Sequence, residues 1–360
     1  MGKISVGIIG LGSVASNLIE SLVYYKKSHS DKGIIIDQIF GYRVEDIEIK
    51  CAFDVASDKI GKDIADAIYS TQNIFERNPS ISRDDVKQLQ KGKVFGGNLK
   101  DGIDDNYRKK LREFGAEVLS NSNSLSDVFQ ENQIDVLLNL TPVGAVEDSL
   151  HYAEEALKGG IAFINCNPTS ILRNDKIRQE FIENRIPLLG DDIKSQLGTT
   201  LIHRSLLSTI RSRGSEIDRT SQINMGGNMD FFNLDNRSAT KIESKKFALS
   251  QFVRREKVFV KNAYNSNYGS LKRAYIDVNA RVFGNSPLDI RIFFESDDKA
   301  NASGCIADLV RFAKGFSDGE IRVSEENLNT VSSFYMKSPV KQQDEVETLD
   351  RLRSISCQRQ

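Results

Sequence analysis

A glycine-rich turn near the start of the chain constrains the fold most strongly. Residues Lys3–Ile9 are predicted to form a buried strand, Gly10-x-Gly12-x-x-Ala15 follows it, and a helical apolar periodicity continues to about Tyr25. Glycines in this context let the backbone approach a pyrophosphate, and the helix N-terminus stabilises its charge. We therefore predict a dinucleotide site formed by Gly10, Gly12, Ser13, Val14 and Ala15. The alternative is a tight strand–helix turn that binds no ligand.

A carboxylate side chain of the protein is expected to bind the same dinucleotide. A second strand is predicted near Ile49–Val55, and it brings Asp54 to its carboxyl end. A carboxylate at that point binds the adenosine ribose hydroxyls and disfavours a 2′-phosphate, so we expect NAD rather than NADP. Asp54 lies 42 residues after Gly12, whereas about 20 is usual. A polar, irregular insertion over 28–46 accounts for the difference.

Strands and helices alternate through the first 200 residues. The clearest strand is the apolar run Ile134–Leu140, which ends at the turn residues Thr141 and Pro142, and these two join the predicted cofactor contacts. Helices over 145–158 and 175–184 alternate with strands over 161–164 and 186–189. Such alternation predicts an α/β fold with a Rossmann-like, doubly wound parallel sheet.

The pattern changes after residue 200. Strands are predicted over 219–224 and 272–283, and 288–294 alternates apolar and polar residues as a half-solvated antiparallel strand does. A helix over 302–316 follows, and we expect the polar tail after Lys341 to fray. We therefore predict a nucleotide-binding domain over 1–200, to which 303–360 returns, and an inserted α+β domain over 201–302.

Composition excludes several classes of partner. Lys plus Arg number 49 and Asp plus Glu number 50, so no basic footprint for nucleic acid is expected. The four Cys and three His are scattered, which argues against a zinc site or a disulfide framework. Since we find neither an apolar run of membrane-spanning length nor a signal peptide, we expect no membrane partner and a cytoplasmic location.

Two further motifs suggest a phosphate or polyol site. Gly190-Asp-Asp-Ile-Lys-Ser-Gln-Leu-Gly-Thr follows a predicted strand and opens a helix, which suits a phosphate or metal–phosphate group. Asn224-Met-Gly-Gly-Asn-Met-Asp places two amides and an acid around a glycine pair, as in a loop that binds a polyol. Helix capping and a plain turn are the respective alternatives.

These motifs, together with three others, resemble those of the inositol-3-phosphate synthase family, in its shorter archaeal and actinobacterial branch. The stretches are GDDIKSQLGTT (190–200), DRTSQINMGGNMDFFNL (218–234), IESKK (242–246), KRAYIDV (272–278) and MKSP (336–339). The resemblance implies an NAD-binding domain with a central catalytic and tetramerisation domain. It also implies a homotetramer that works in inositol and phospholipid biosynthesis.

The resemblance further implies a reaction. Glucose 6-phosphate is oxidised at carbon 5 with NAD, loses a proton from carbon 6, closes by an aldol step on carbon 1 and is reduced again. That chemistry needs fixed cations for a phosphate, an enolate and an alkoxide, and lysines supply them and exchange protons when buried. The implied catalytic residues are Lys245, Lys272, Lys337, Asp192 and Asp298. The implied substrate contacts are Ser195, Asn224, Asn228 and Asp230.

One departure concerns a lysine. The family has a second catalytic lysine four residues after the first lysine of its SKK motif, and an alignment anchored on Ile242–Lys246 places Leu249 there. On that alignment one cation of the usual set is absent. The alternative pairs Lys241 with Lys245 at the same spacing, but it moves the gap and breaks the IESKK match.

Two other departures concern the metal and the glycine loop. Lys299 stands where bacterial relatives have a serine associated with a divalent metal, so we hypothesise that its ammonium takes the electrostatic role of that metal. The alternative is that Lys299 faces solvent. If a metal binds, Asp192 and Asp298 are its expected ligands. Ser13-Val14 replaces the usual Asn-Cys, and a serine still offers a small donor to the pyrophosphate.

Three functions therefore remain open from sequence. The first is an active inositol-3-phosphate synthase. The second is a paralogue that uses NAD on another sugar phosphate, and the third is a weakly catalytic homologue that binds NAD or a sugar phosphate. Leu249 favours the latter two, whereas retention of the other lysines and aspartates favours the first.

Overall fold

The computed structural model describes residues 2–119 and 123–357. The strands are β1 (Ile4–Ile9), β2 (Ile47–Asp54), β3 (Lys93–Gly96), β4 (Val136–Asn139), β5 (Ala162–Asn165), β6 (Leu188–Leu189), β7 (Glu216–Gly226), β8 (Val258–Tyr264), β9 (Leu271–Val282) and β10 (Ser286–Asp297). The helices are α1 (Ser13–Ser28), α2 (Ile64–Ala67), α3 (Arg83–Leu89), α4 (Asp105–Glu113), α5 (Leu125–Glu131), α6 (Val146–Lys158), α7 (Asp175–Glu183), α8 (Thr199–Ser212), α9 (Met229–Arg237), α10 (Ala239–Leu249), α11 (Asp298–Ser317), α12 (Glu325–Tyr335) and α13 (Glu345–Ser356).

The first six strands form one parallel sheet in the order β3-β2-β1-β4-β5-β6. Apolar residues cover both faces, as a parallel sheet requires. One face packs against α1, α11 and α12, and the other packs against α5, α6 and α7. The strand order reverses between β1 and β4, and ligands bind at such a switch point in open α/β sheets. The predicted Rossmann-like, doubly wound sheet is confirmed.

Four later strands form a second, mixed sheet in the order β10-β9-β7-β8. The pairs β10–β9 and β9–β7 are antiparallel, and β7–β8 is parallel. Its inner face packs against α8 and α10 through residues that include Leu207, Leu249 and Ile276. The other face exposes Phe259, Tyr275 and Phe293. This sheet lies within the β-rich stretch expected after residue 200.

The C-terminal segment returns to the first sheet. Helix α11 is mostly buried and packs against α1. The tail expected to fray instead forms α13, which buries Leu352 and places Glu345 on Lys194 and Arg204. That expectation was wrong because the partners of the tail lie about 150 residues earlier in the chain.

The domain boundaries at 200 and 302 stay a prediction. Residue 1, residues 120–122 and residues 358–360 lie outside the described residues. No helix in the described ranges is long and apolar enough to cross a membrane.

Candidate active site

A single cleft runs from the carboxyl ends of the parallel strands to the inner edge of the second sheet. Its wall at one end consists of the glycine turn after β1 and the loops after β2 and β4. Its wall at the other end carries Lys241, Lys245, Lys272, Lys299 and Lys337. The predicted cofactor residues and the predicted catalytic lysines therefore line the same cavity.

The glycine turn is shaped to receive an anion. Gly10 has φ +87° and lies so close to β4 that a Cβ atom would stand 2.7 Å from the Leu140 carbonyl oxygen. Gly12 caps α1 without a side-chain hydrogen bond, and the first turn contains no acidic residue. The first amides of α1 therefore face the cleft without an anionic side chain of their own, which suits a pyrophosphate. Ser13, Val14, Ala15, Thr141 and Pro142 line the cleft beside them.

Asp54 occupies the predicted place, but its carboxylate is already engaged. Oδ2 accepts from the Leu11 amide at 3.0 Å and from Lys59 Nζ at 3.1 Å. Oδ1 accepts from the Val55 and Ala56 amides at 2.8 and 2.9 Å. Asp54 thus braces the glycine turn, and a ribose hydroxyl would have to share or replace one of these donors. Sequence reasoning missed Lys59, which is buried and also donates to the Leu11 carbonyl at 2.8 Å.

Asp192 gathers cations at the other end of the cleft. Its Oδ1 accepts from Lys241 Nζ at 2.7 Å and from Lys337 Nζ at 3.2 Å, and Oδ2 accepts from the Ser244 hydroxyl at 2.5 Å. Burial alone would raise the pKa of Asp192, but the ammonium charges of Lys241 and Lys337 outweigh it and lower that pKa to about 2. Asp192 is fully buried and lies behind the lysines, so it positions them rather than lining the cleft.

Backbone hydrogen bonds between the C-terminal segment and the loop after β6 position Lys337 in the wall of the cleft. The Lys337 amide donates to the Asp192 carbonyl at 2.7 Å, and the Lys194 amide donates to the Tyr335 carbonyl at 2.8 Å. Asp192 itself has the left-handed φ of +64°. The hydrogen bond that its backbone N–H donates to the Asn167 carbonyl helps to hold this conformation. Burial lowers the pKa of Lys337 to about 8, although Asp192 opposes that shift.

A second carboxylate organises the facing wall. Asp298 Oδ1 accepts from Lys272 Nζ at 2.9 Å and from the Ser195 hydroxyl at 3.1 Å. Burial alone would raise the pKa of Asp298, but Lys272 outweighs that effect, and the net shift is strongly downward. The predicted residues Ser195, Lys272 and Asp298 are thus brought together. Asn228 and Asp230 line the cleft nearby, and Asn228 also caps α9.

Lys245 differs from the other lysines because its hydrogen-bond partner is neutral. Its Nζ donates to Asn262 Oδ1 at 2.9 Å, and within the described part of the chain it is paired with no carboxylate. Burial lowers its pKa well below the usual value, and the charges of Lys272, Lys337 and Lys241 add to this. A buried lysine with a depressed pKa can accept a proton near neutral pH. Lys245 is therefore the candidate base of the site.

The chain is similar to known proteins along nearly its whole length. The family model of myo-inositol-1-phosphate synthase matches residues 198–299. The inositol-3-phosphate synthase of Corynebacterium glutamicum is 35% identical over 98% of this chain and 98% of its own length. That of Mycolicibacterium smegmatis is 34% identical over 95% and 94%.

The chain belongs to the inositol-3-phosphate synthase family. Among solved structures, Ari2 is 26% identical with a TM-score of 0.75 and covers 98% of this chain and 99% of its own. The inositol-3-phosphate synthase of Caenorhabditis elegans shares the fold at 15% identity, with a TM-score of 0.78 over 99% of this chain and 86% of its own.

The structure places Leu249 away from the cleft and places Lys241 in its wall. Leu249 is fully buried in the apolar cluster between α8, α10 and the second sheet, with Leu207 and Ile276. Lys241 lies one helical turn before Lys245, lines the cleft and donates to Asp192 behind it. Residues four apart share a helix face. Lys241 and Lys245 therefore have the family's four-residue spacing, with Lys245 as the second lysine of the pair. The alternative pairing of Lys241 with Lys245 is thus the one that the geometry supports.

Lys299 does not face solvent. Its side chain is 1% exposed, its Nζ donates to the Ser270 carbonyl, and it lies 3.9 Å from Asp297 Oδ1. The solvent-facing alternative for Lys299 was wrong. Asp192 and Asp298, the ligands expected if a metal binds, are both paired with lysines. In the described ranges no group of three or more His, Cys, Asp or Glu side chains could hold a metal ion. These residues do not fit a divalent metal.

Asn224 is displaced from its predicted role. It is fully buried, does not line the cleft, and donates from Nδ2 to Asn262 Oδ1 at 3.3 Å. Asn224 is therefore joined to the cleft residue Lys245 only through Asn262, which sequence reasoning missed. The alternation of polar residues along β7 indicates a buried polar face. The pairing of β7 with β8 was needed to identify Asn262 as the residue beside Asn224.

Proposed function

We propose that the chain is an NAD-dependent inositol-3-phosphate synthase that converts D-glucose 6-phosphate to 1D-myo-inositol 3-phosphate. The observation that carries the proposal is the cleft itself, in which an uncapped helix N-terminus faces a cluster of buried lysines. The near full-length similarity to curated synthases supports the same reaction.

The residues present fit a dinucleotide. The amides at the start of α1 would hold the pyrophosphate, because the glycine turn leaves them open and no acidic side chain competes. Thr141 and Pro142 would border the other half of the dinucleotide, beside the lysine cluster. NAD bound there would supply the reversible hydride transfer at carbon 5 of the sugar.

The lysines would manage the proton and the negative charge. Lys245 accepts the proton from carbon 6, since burial and the neighbouring ammonium groups lower its pKa and so favour its uncharged form. The ammonium groups of Lys241, Lys272 and Lys337 hold the phosphate and stabilise the enolate and the alkoxide of the aldol step. Asp192 and Asp298 fix these cations in place before the substrate arrives.

The two alternative functions lose their main support. Both rested on the absence of one cation at position 249, and Lys241 supplies a cation to the same cleft. An inactive homologue would have no need to keep four buried lysines and the partly buried Lys241 around one cavity, because each buried ammonium costs free energy.

Phosphorus NMR tests the proposal. The purified protein is incubated with NAD and glucose 6-phosphate while NADH is followed by absorbance. We expect inositol phosphate to form with no net NADH. Net NADH would support the paralogue instead, and saturable NAD binding without turnover would support the weakly catalytic homologue.

We propose that the active form is a homotetramer located in the cytoplasm, supplying inositol phosphate for phospholipid synthesis. The outer face of the second sheet supports assembly, because Phe259, Tyr275 and Phe293 are each about half exposed on it. Light scattering after size-exclusion chromatography tests the tetramer, and Phe259→Lys with Phe293→Lys should dissociate it. A monomeric wild-type protein with full activity would contradict it.

A further inference from the structure

The inner face of the second sheet carries a polar stripe where apolar residues are expected. Three successive inward-facing positions of β7 are Thr220, Gln222 and Asn224, and all three are buried. The inward positions beside them on β9 are alanine, isoleucine and valine. Burying amides in such a layer costs free energy unless their hydrogen bonds are made. The partners of the stripe therefore indicate its purpose.

Those hydrogen bonds form a chain that ends at Lys245. Gln222 Nε2 donates to Asn224 Oδ1 at 2.8 Å, and Asn224 Nδ2 donates to Asn262 Oδ1 at 3.3 Å. The parallel pairing of β7 with β8 makes Asn224 and Asn262 cross-strand neighbours. Lys245 Nζ completes the chain on the same Asn262 oxygen at 2.9 Å. At the far end, His203 Nδ1 lies 3.2 Å from Gln222 Oε1.

This series of hydrogen bonds fixes which atom of the Asn262 side chain faces Lys245. Asn224 Nδ2 also donates to the Lys261 carbonyl at 3.3 Å, so the Asn224 amide cannot turn over without losing that bond. Its N–H group therefore points to Asn262 and requires an oxygen there. Asn262 Nδ2 is left without a partner in the described part of the chain. An unpartnered buried donor is costly, which indicates that the orientation of the oxygen is what the arrangement maintains.

We propose that Gln222, Asn224 and Asn262 are positioning residues that present a neutral carbonyl oxygen to Lys245 and so keep it available as an uncharged proton acceptor. A carbonyl oxygen orients the amine through one hydrogen bond, whereas a carboxylate would also stabilise the ammonium form. The proposal rests on the function proposed above, in which Lys245 takes the proton from carbon 6.

The charges around Lys245 make the choice of a neutral partner consequential. Lys241 on the same helix, Lys272 on β9 and Lys337 on the C-terminal segment all disfavour its ammonium form, whereas Asp192 favours it. Asp192 is already paired with Lys241 and Lys337. A carboxylate at position 262 would be the first anion in direct contact with the amine.

The substitution Asn262→Asp tests the proposal because it keeps the shape and changes the charge. Activity rises with pH as Lys245 loses its proton, so the introduced carboxylate should move the acid limb of the kcat profile upward by about 1 to 3 pH units. Trace acetylation of Lys245 in the ligand-free protein should show the same shift in its midpoint. The control Asn184→Asp, at the exposed residue that ends α7, should leave both unchanged. An unmoved acid limb in Asn262→Asp would overturn the proposal.

A second variant tests the hydrogen bond between Asn224 and Asn262, which does not involve Lys245 itself. Asn224→Ala removes the donor that fixes the Asn262 amide, so kcat should fall at least tenfold while KM changes less than threefold. An unchanged kcat would overturn the proposal. If the wild-type protein forms no inositol phosphate, the proposed function fails instead, and the midpoint of Lys245 acetylation still reports on the chain.

Discussion

Lys241 Nζ lies 2.7 Å from Asp192 Oδ1, and Lys337 Nζ lies 3.2 Å from the same oxygen. One buried carboxylate therefore holds two cations at the wall of the cleft, one from α10 and one from the C-terminal segment. This relationship restores the cation that the alignment on Leu249 removes. The cleft thus has a lysine from α10 besides Lys245, although it stands about two helical turns before position 249.

We predict that Lys241→Met lowers kcat/KM at least ~100-fold, since loss of one preorganised charge has that effect in comparable sites. Asp192 keeps Lys337 as a partner, so the variant should remain folded. Steady-state kinetics measure the effect. Lys246→Met is the matched control on the same helix, because Lys246 pairs only loosely with Glu243 at 3.5 Å. Activity of Lys241→Met within threefold of wild type would show that Lys241 is dispensable.

Leu249→Lys should destabilise the protein and should not increase its catalytic activity. Leu249 is fully buried among apolar residues, and an unpaired buried charge costs about 3–5 kcal/mol. The control Leu249→Met should cost less than about 1.5 kcal/mol. Urea unfolding measures both values. A gain of activity in Leu249→Lys would instead favour the alignment anchored on Ile242–Lys246.

The basic limb of the pH profile should belong to Lys337. Burial lowers its pKa to about 8, and its charged form is the one that stabilises anions. As pH rises through about 8, that charge is lost and kcat/KM should fall. Lys337→Arg keeps a charge at all accessible pH values, so the limb should move upward, whereas the exposed control Lys341→Arg should leave it in place. A limb that stays near pH 8 in Lys337→Arg would assign it to another group.

Lys59 should govern dinucleotide affinity through the glycine turn. Lys59 joins Asp54 to the Leu11 carbonyl, and a charge-assisted hydrogen bond contributes about 1.5–3 kcal/mol. Lys59→Met should therefore raise the Kd for NADH about tenfold, as followed by fluorescence titration. The exposed control Lys62→Met should not change it. Equal affinities in both variants would mean that Lys59 does not support the turn.

Exhaustive chelation should leave activity within twofold of the untreated protein. Asp192 and Asp298 are paired with lysines rather than free to ligate a metal, and Lys299 already places a buried cation beside the cleft. Activity is assayed after dialysis against a chelator. Loss of activity that returns on adding a divalent ion would establish a metal requirement.

Local signals were enough to predict the first sheet and the glycine turn that lines the cleft. Gly10 and Gly12 act within a few residues of sequence, so strand, turn and helix could be placed together. The position of Lys241 could not be predicted, because it depends on which face of α10 packs against the second sheet. Asn262 and α13 were missed for the same reason: each is held by partners distant in the chain, Asn224 and Lys245 for the one and Lys194 for the other.

A label at carbon 5 tests the central claim most directly. The protein is given glucose 6-phosphate deuterated at that carbon, with NAD and in ordinary water, and the product is examined by deuterium NMR. Because the hydride taken from carbon 5 returns to the same carbon, we predict inositol phosphate that retains the deuterium, with no net NADH. Product that has lost the label, or deuterated NADH accumulating in solution, would contradict the account.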